Sequence, residues 1–262
     1  MMKSAPVIAI VFLLVGCIEP RTPHEPPLKG DAARMHAIYL DEAYTSILID
    51  VRYVGDREPQ EVGLEAMAQG IREMAPHRVA KVPSPRPLPT DDDPDRVWRH
   101  DDLDALFQST TLRREPGAYV IPVFLLNGHY IANGESPTAI FHRMHAAIYY
   151  WPDDVRTYPV TVNDVGPEHP GYASLERTLL MHELGHALGL IDSGLPMTKT
   201  RLPPPDVDPC RCHSTEEESP LHYKLHSREG IQEMIEPGEH LPARFSALDR
   251  ADAQRYLAQR TA

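Results

Sequence analysis

The sequence is poor in basic residues, in cysteine and in long apolar runs. Its 26 lysines and arginines stand against 38 acidic residues, which gives a formal net charge of −12, and no basic run occurs. A chain of this kind is unsuited to binding nucleic acid or to electrostatic attraction by anionic lipid. No segment approaches the ~20 apolar residues that a membrane-spanning helix needs. These absences leave a globular chain that can bury one sizeable core, with room for two lobes.

The first residues have the pattern of an export signal. A positive start at Lys3 precedes an apolar stretch over residues 7–15, which is too short to span a bilayer and is typical of a signal peptide. The tetrapeptide that ends at Cys17, Leu-Val-Gly-Cys, resembles the bacterial lipobox, whose cysteine is lipidated. We therefore expect a signal peptide over residues 1–16, a lipid anchor on Cys17 and a proline-rich tether over residues 17–31.

The anchor also suggests a location. By resemblance to Gram-negative lipoproteins, isoleucine rather than aspartate after Cys17 favours the outer membrane of the bacterial cell envelope. An ordinary cleaved signal peptide or a buried apolar N-terminus is the alternative. The other two cysteines, Cys210 and Cys212, could then form a local disulfide, stay as free thiols or contact a metal.

The stretch over residues 182–192 has the strongest chemical signal in the chain. It begins with His182-Glu-x-x-His186, inside an apolar run that predicts a helix. Residues i and i+4 of a helix share one face, so the two imidazoles can each offer a nitrogen to one zinc ion. Glu183 can reach a water beside that ion without being a ligand, which suits a general base.

The residues after this helix can complete a metal site. Gly189 permits a sharp exit from the helix, because glycine tolerates the left-handed geometry of a helix C-terminus. The resulting turn can bring Asp192 back as a third ligand. The plainer interpretation is a solvated helix with two histidines and an ordinary capping glycine. The leucines around the motif argue against it, because they bury the helix and its histidines then need partners.

The full pattern His-Glu-x-x-His-x-x-Gly-x-x-Asp resembles the zinc-binding consensus of the metzincins, in the less common form with aspartate as third ligand that snapalysin-type enzymes have. Bacterial metzincin-like lipoproteins, moreover, continue into a Gly-Leu-Pro-Met segment similar to residues 194–197. The resemblance implies an α+β fold: a mixed twisted sheet, helices that include the zinc helix, and a small irregular C-terminal lobe that ends in a helix. The lobes would cover residues 32–192 and 193–262.

Periodicity supports the order of elements in such a fold. It predicts strands over residues 46–54 and 118–126, shorter strands ending at residue 82 and over 138–141 and 146–151, and helices over 60–75, 101–112, 174–188 and 246–259. Ser246-x-x-Asp249 fits a capping box for the last helix. Pro122 suggests that its strand is an edge or contains a bulge. By resemblance to metzincins, an edge strand above the cleft binds extended peptide, and 138–141 is the candidate.

Two parts of the metzincin pattern stay open. The methionine turn beneath the metal would be formed by Met234, although an ordinary buried methionine fits equally well. His213 or His222 could replace Asp192 as the third ligand. The tyrosine that some metzincins have two residues after the methionine is absent, and Tyr223 is its only suggested substitute.

The sequence therefore predicts a lipid-anchored zinc metallopeptidase, of endopeptidase type, that acts on peptides or proteins. Zn²⁺ would be held by His182, His186 and Asp192, with Glu183 as the base. A non-catalytic surface lipoprotein with a structural zinc is the alternative, in which His213 or a cysteine closes the site as fourth ligand. A binding module without metal is a third possibility.

Overall fold

The computed structural model describes residues 30–55, 58–90, 93, 96–98, 100–127, 129–130, 139–142, 146–151, 170–191, 195–197, 201–204, 213–226 and 241–258. Predictions on several residues therefore lie outside the described ranges: Cys17, Asp192, Cys210, Cys212 and Met234. The predicted signal peptide and residues 17–29 of the predicted tether lie outside them as well, whereas residues 30–31, the end of that tether, begin a helix.

Helices and strands alternate along the first part of the chain. The helices are α1 (Gly30–Met35), which continues into a π-helical turn (His36–Leu40), α2 (Glu61–Met74), α3 (His100–Ser109), α4 (Pro170–Ala187) and α5 (Ala247–Ala258). The strands are β1 (Ser46–Tyr53), β2 (Val79–Lys81), β3 (Arg86–Pro87), β4 (Val97–Trp98), β5 (Ala118–Asn127), β6 (His129–Tyr130), β7 (Ala139–His142) and β8 (Ala146–Trp151). A short 3-10 helix covers Tyr223–His226.

The main sheet is parallel except at one edge. Its strand order is β2-β1-β5-β8-β7, with β3 also paired to β1, and only β7 runs antiparallel to its neighbour. The predicted mixed sheet is confirmed. Helix α2 connects β1 to the parallel strand β2. Helices and strands therefore alternate here as in an α/β fold, whereas the predicted α+β fold would keep them in separate parts of the chain. The candidate cleft strand is β7, which lies at the end of the strand order.

Strand β5 lies in the middle of this sheet, so the suggestion of an edge strand from Pro122 is wrong. It pairs with β1 on one side and, from Val123 onward, with β8 on the other. Pro122 lies opposite Asp50 in an unbroken register with β1, one residue before the pairing with β8 begins. Proline removes a single backbone donor, whereas the apolar residues around it need burial on both faces. Burial of Ile121, Val123 and Phe124 therefore decides the position of the strand.

The core lies between one face of the sheet and helices α2 and α4. Alternate residues of β1, such as Ile47 and Ile49, and of β5, such as Ile121, belong to one buried cluster with the inward residues of both helices. Leu221 and Phe245, from the predicted C-terminal lobe, belong to the same cluster. The domain boundaries stay predictions, but this core joins the two predicted lobes.

The opposite face of β1 contains a buried ion network. Asp50 is fully buried and accepts hydrogen bonds from the guanidinium groups of Arg52 and Arg86, at 3.0–3.2 Å, and from the backbone N–H of Arg113 at 2.8 Å. Hydrogen-bonded partners of opposite charge allow a carboxylate to be buried. The network connects β1 to β3 and to the segment before β5.

The last helix begins as its capping box predicts. The N–H of Asp249 donates to Ser246 Oγ at 3.1 Å, and the N–H of Ser246 donates to Asp249 Oδ2 at 2.9 Å. Two backbone donors at the helix start are thereby satisfied reciprocally. In the part of the chain that the structure describes, no helix is long and apolar enough to cross a membrane.

Candidate metal centre

Three buried histidines converge at the C-terminal half of α4. His182 and His186 come from the helix itself, and His213 comes from the segment 213–226 that lies against it. The side chains are 5–7 % exposed, and one ligand atom from each lies within 4.8 Å of the others. Within the described ranges, this is the one group of three or more potential ligands that could hold a metal ion.

The two helix histidines point at each other in a way that suits a shared ion. Their Nε2 atoms are 3.2 Å apart, and their ring planes cross at 80°. Two nitrogens bound tetrahedrally to zinc at 2.0–2.1 Å would lie about 3.3–3.4 Å apart. The spacing that the i, i+4 pattern predicted is therefore present in the folded chain.

A backbone carbonyl fixes the tautomer of His182. Its Nδ1 lies 2.8 Å from the carbonyl oxygen of Pro220. A carbonyl can only accept, so Nδ1 bears the hydrogen, and in the neutral ring Nε2 keeps a free lone pair. A ligand histidine usually has such an outer partner, which orients the ring and raises its basicity.

Burial keeps the site in the charge state that metal binding needs. Burial lowers the pKa of His186 well below its usual value, and the neighbouring His182, His213 and Arg34 lower it further. The imidazole is therefore neutral at pH 7, and a neutral imidazole is the form that binds metal.

Glu183 is a buried acid with an unused oxygen. It is 2 % exposed, and its Oε2 has no hydrogen-bond partner among the described residues. Burial raises the pKa of its carboxyl to about 8. An orphaned buried carboxyl oxygen is uncommon in folded proteins and is one sign of a functional group.

The end of α4 is shaped by Gly189. It has a φ of +83°, its N–H donates to His186 O at 3.0 Å, and the N–H of Leu190 donates to Gly185 O at 3.0 Å. These two bonds form a Schellman motif, as the predicted glycine cap requires. Tyr39 from the π-helical turn donates its hydroxyl to Leu188 O at 2.9 Å and satisfies another terminal carbonyl.

A second glycine lets the loop with the third histidine approach the helix. A Cβ on Gly185, inside the motif, would lie 2.8 Å from Leu221 Cδ1. A larger side chain there would therefore displace the Leu221 side chain, which follows Pro220 in the loop. The middle of the His-Glu-x-x-His pattern therefore matters for packing as well as for ligand spacing.

The structure brings together part of the predicted site. It places His182 and His186 beside His213, the histidine that the sequence offered as an alternative third ligand. Glu183 is buried on the same helix. His222 is also buried, but its ring packs on Tyr223 with 4.6 Å between centroids, and it is outside the group of three. No sequence spacing distinguishes His213 from His222, whereas the fold does.

Comparisons with known proteins agree with this picture at the level of the fold. No family model and no curated protein matches the sequence. The chain is similar to the crystal structure of archaemetzincin from Methanopyrus kandleri, a zinc metallopeptidase, with 12 % identity and a TM-score of 0.50 over 82 % of this chain and 97 % of that one. At this identity the likeness concerns the fold alone. The fold is compatible with that of a metallopeptidase such as archaemetzincin, and the histidine triad fits a zinc site.

Proposed function

We propose that this protein is a zinc-dependent metallopeptidase in which His182, His186 and His213 hold the metal. The observation that carries the proposal is the buried triad, with two Nε2 atoms 3.2 Å apart and the His182 tautomer set by Pro220. Three neutral histidines with one open position are a known ligand set of catalytic zinc. The archaemetzincin-like fold supports the same activity.

The residues present fit a zinc ion, and the ion would supply Lewis-acid polarisation of a water and of the peptide carbonyl. The task of the chain is to hold and move a proton. The charge of a bound ion would favour the carboxylate form of Glu183 over the neutral acid that burial favours without it. Its Oε2, which has no hydrogen-bond partner among the described residues, would then accept the proton of the attacking water and pass it to the amine nitrogen of the departing peptide half. Burial of the four side chains excludes other solvent from the reacting groups.

Two finer parts of the proposal depend on the sequence. Asp192 stays a predicted ligand for the same ion, and the metal affinities of Asp192→Ala and His213→Ala decide which residue completes the set. The lipid anchor on Cys17 and the outer-membrane location are likewise proposed. Mass spectrometry of the N-terminal peptide from the native protein, with Cys17→Ser as control, tests them.

Metal analysis and peptide cleavage test the activity itself. We expect one zinc per molecule and cleavage of a peptide library by the wild type. Glu183→Gln should keep the zinc and lose the cleavage. Glu176→Gln, the same exchange two turns earlier on α4, is the matched control and should stay active. Zinc without cleavage in the wild type would instead support a structural zinc site in a non-catalytic lipoprotein, and an active Glu183→Gln would refute the role of the glutamate.

A further inference from the structure

We propose that Ser219 and Asp249 are positioning residues for the metal centre: together they hold the Pro220 carbonyl that orients His182. The inference depends on the proposed function for its importance, but the contacts that carry it are independent of any metal. Each contact lies within the described residues.

The first link joins α5 to the loop. Asp249 is fully buried in the first turn of α5, and its Oδ2 accepts a hydrogen bond from Ser219 Oγ at 2.9 Å. The same Ser219 Oγ accepts the N–H of Leu221 at 3.1 Å. The Leu221 N–H and the Pro220 carbonyl belong to the same peptide group, so the hydroxyl holds the peptide that contains this carbonyl, while its own hydrogen is fixed on the carboxylate.

The second link joins the loop to the ligand. The Pro220 carbonyl is the acceptor for His182 Nδ1–H at 2.8 Å, and Leu221 rests against Gly185, one residue before His186. A shift of segment 219–221 away from α4 would break this hydrogen bond. His182 would then lose the partner that keeps its Nε2 free of hydrogen.

The Asp249 carboxylate is also connected to His213, through Arg201. Asp249 Oδ1 is paired with Arg201, whose guanidinium also contacts Asp252 at 2.9 Å and Glu216 at 3.0 Å. The backbone carbonyl of Arg201 accepts the N–H of Thr215, two residues after His213, at 2.7 Å. The first turn of α5 thus fixes both parts of the loop that face the two helix histidines.

A control variant can distinguish a positioning role of Ser219 from a general effect on stability. Thr178 provides a matched comparison: it is fully buried on α4, and its hydroxyl donates to Pro242 O at 2.8 Å. Removing that hydroxyl costs one buried hydrogen bond between α4 and the C-terminal region but leaves segment 219–221 untouched. Ser219→Ala removes two hydrogen bonds, one to the Asp249 carboxylate and one from the Leu221 N–H, and releases the carbonyl that orients His182.

The test compares purified wild type, Ser219→Ala and Thr178→Val by three measurements: thermal midpoint, zinc affinity from chelator competition, and the tautomer of His182 from ¹⁵N NMR of the metal-free protein. Changes in outer-shell partners of a metal ligand cost about 10–100-fold in affinity. Because Ser219 acts one residue away from the carbonyl, we expect about a tenfold loss, together with a mixed His182 tautomer. Thr178→Val should lower the midpoint as well but change neither the zinc affinity nor the His182 tautomer.

Equal zinc affinity and an unchanged His182 tautomer in Ser219→Ala would overturn the inference. Failure of the wild type to bind zinc would overturn the proposed function instead, and the NMR measurement on the metal-free chain would still decide the positioning role. If Ser219→Ala does not fold, Ser219→Cys is the substitute, since its thiol keeps most of the side-chain volume but is a weak donor to Asp249 Oδ2 and a weak acceptor for the Leu221 N–H. The same loss of affinity and mixed tautomer are expected there, and their absence counts against the inference.

Discussion

The pH dependence of stability should change when Glu176 is replaced by glutamine. Glu176 is 2 % exposed on α4, and its Oε1 accepts the backbone N–H of Gln60 at 2.7 Å at the start of α2. Burial raises the pKa of this carboxyl to about 7, and the hydrogen bond from Gln60 opposes only part of that rise. The folded chain therefore binds a proton that the unfolded chain releases between about pH 4.5 and 7.

The sign and size of the effect follow from that difference. The neutral carboxyl contributes to the free energy of unfolding. This contribution is fully present below the pKa of the unfolded chain and is lost as the pH rises through the pKa of the folded chain. A difference between pKa 4.5 and about 7 corresponds to roughly 3 kcal/mol, at about 1.4 kcal/mol for each pKa unit. Glutamine stays neutral at every pH, so in Glu176→Gln the free energy of unfolding should no longer fall over this pH range.

Urea unfolding of metal-free protein from pH 4.5 to 8.5 measures the change. Glu183 also has a raised pKa, so both chains should contain Glu183→Gln, which leaves Glu176 as the difference between them. We expect the two curves to run close together near pH 4.5 and to diverge by about 3 kcal/mol above pH 7, with the glutamine variant more stable. Parallel curves across the whole range would refute the burial argument.

Three further variants test the site and its supports. Gly189→Ala places a Cβ at a φ of +83° and into Met35, and it should cost about 2–5 kcal/mol in urea unfolding; a loss below about 1 kcal/mol would contradict this. His213→Ala should lower zinc affinity, measured by chelator competition, by more than the ~100-fold that loss of a ligand's hydrogen-bond partner costs. His222→Ala should leave the affinity near the wild-type value. Equal affinities for the two variants would exclude His213 as a ligand. Arg201→Met leaves buried carboxylates without their cation and should cost about 3–5 kcal/mol in unfolding free energy; an unchanged unfolding free energy would contradict this.

The sequence predicted the parts of the site that depend on local geometry. His182 and His186 share a face because four residues separate them, the Schellman motif at Gly189 follows from its lack of a side chain, and the cap of α5 follows from Ser246 and Asp249. In each case the interacting groups lie within about one or two helical turns, so spacing alone determines the contact.

The position of the third histidine could not be predicted from local spacing. His213 reaches α4 because Thr215 is bonded to Arg201, and Arg201 is paired with acids of α5. These contacts join residues that are far apart in the chain and have no common period. The central position of β5 was likewise decided by burial on both faces, which overrode the local signal of Pro122.

The bond between Ser219 and Asp249 gives the last helix a thermodynamic connection to the metal. If docking of α5 strengthens zinc binding through the loop, zinc must strengthen docking of α5 by the same factor, because such coupling is reciprocal. A chain without residues 241–258 would then keep both helix ligands and still bind zinc weakly. Loading of the metal would therefore report that α5 has docked onto the loop.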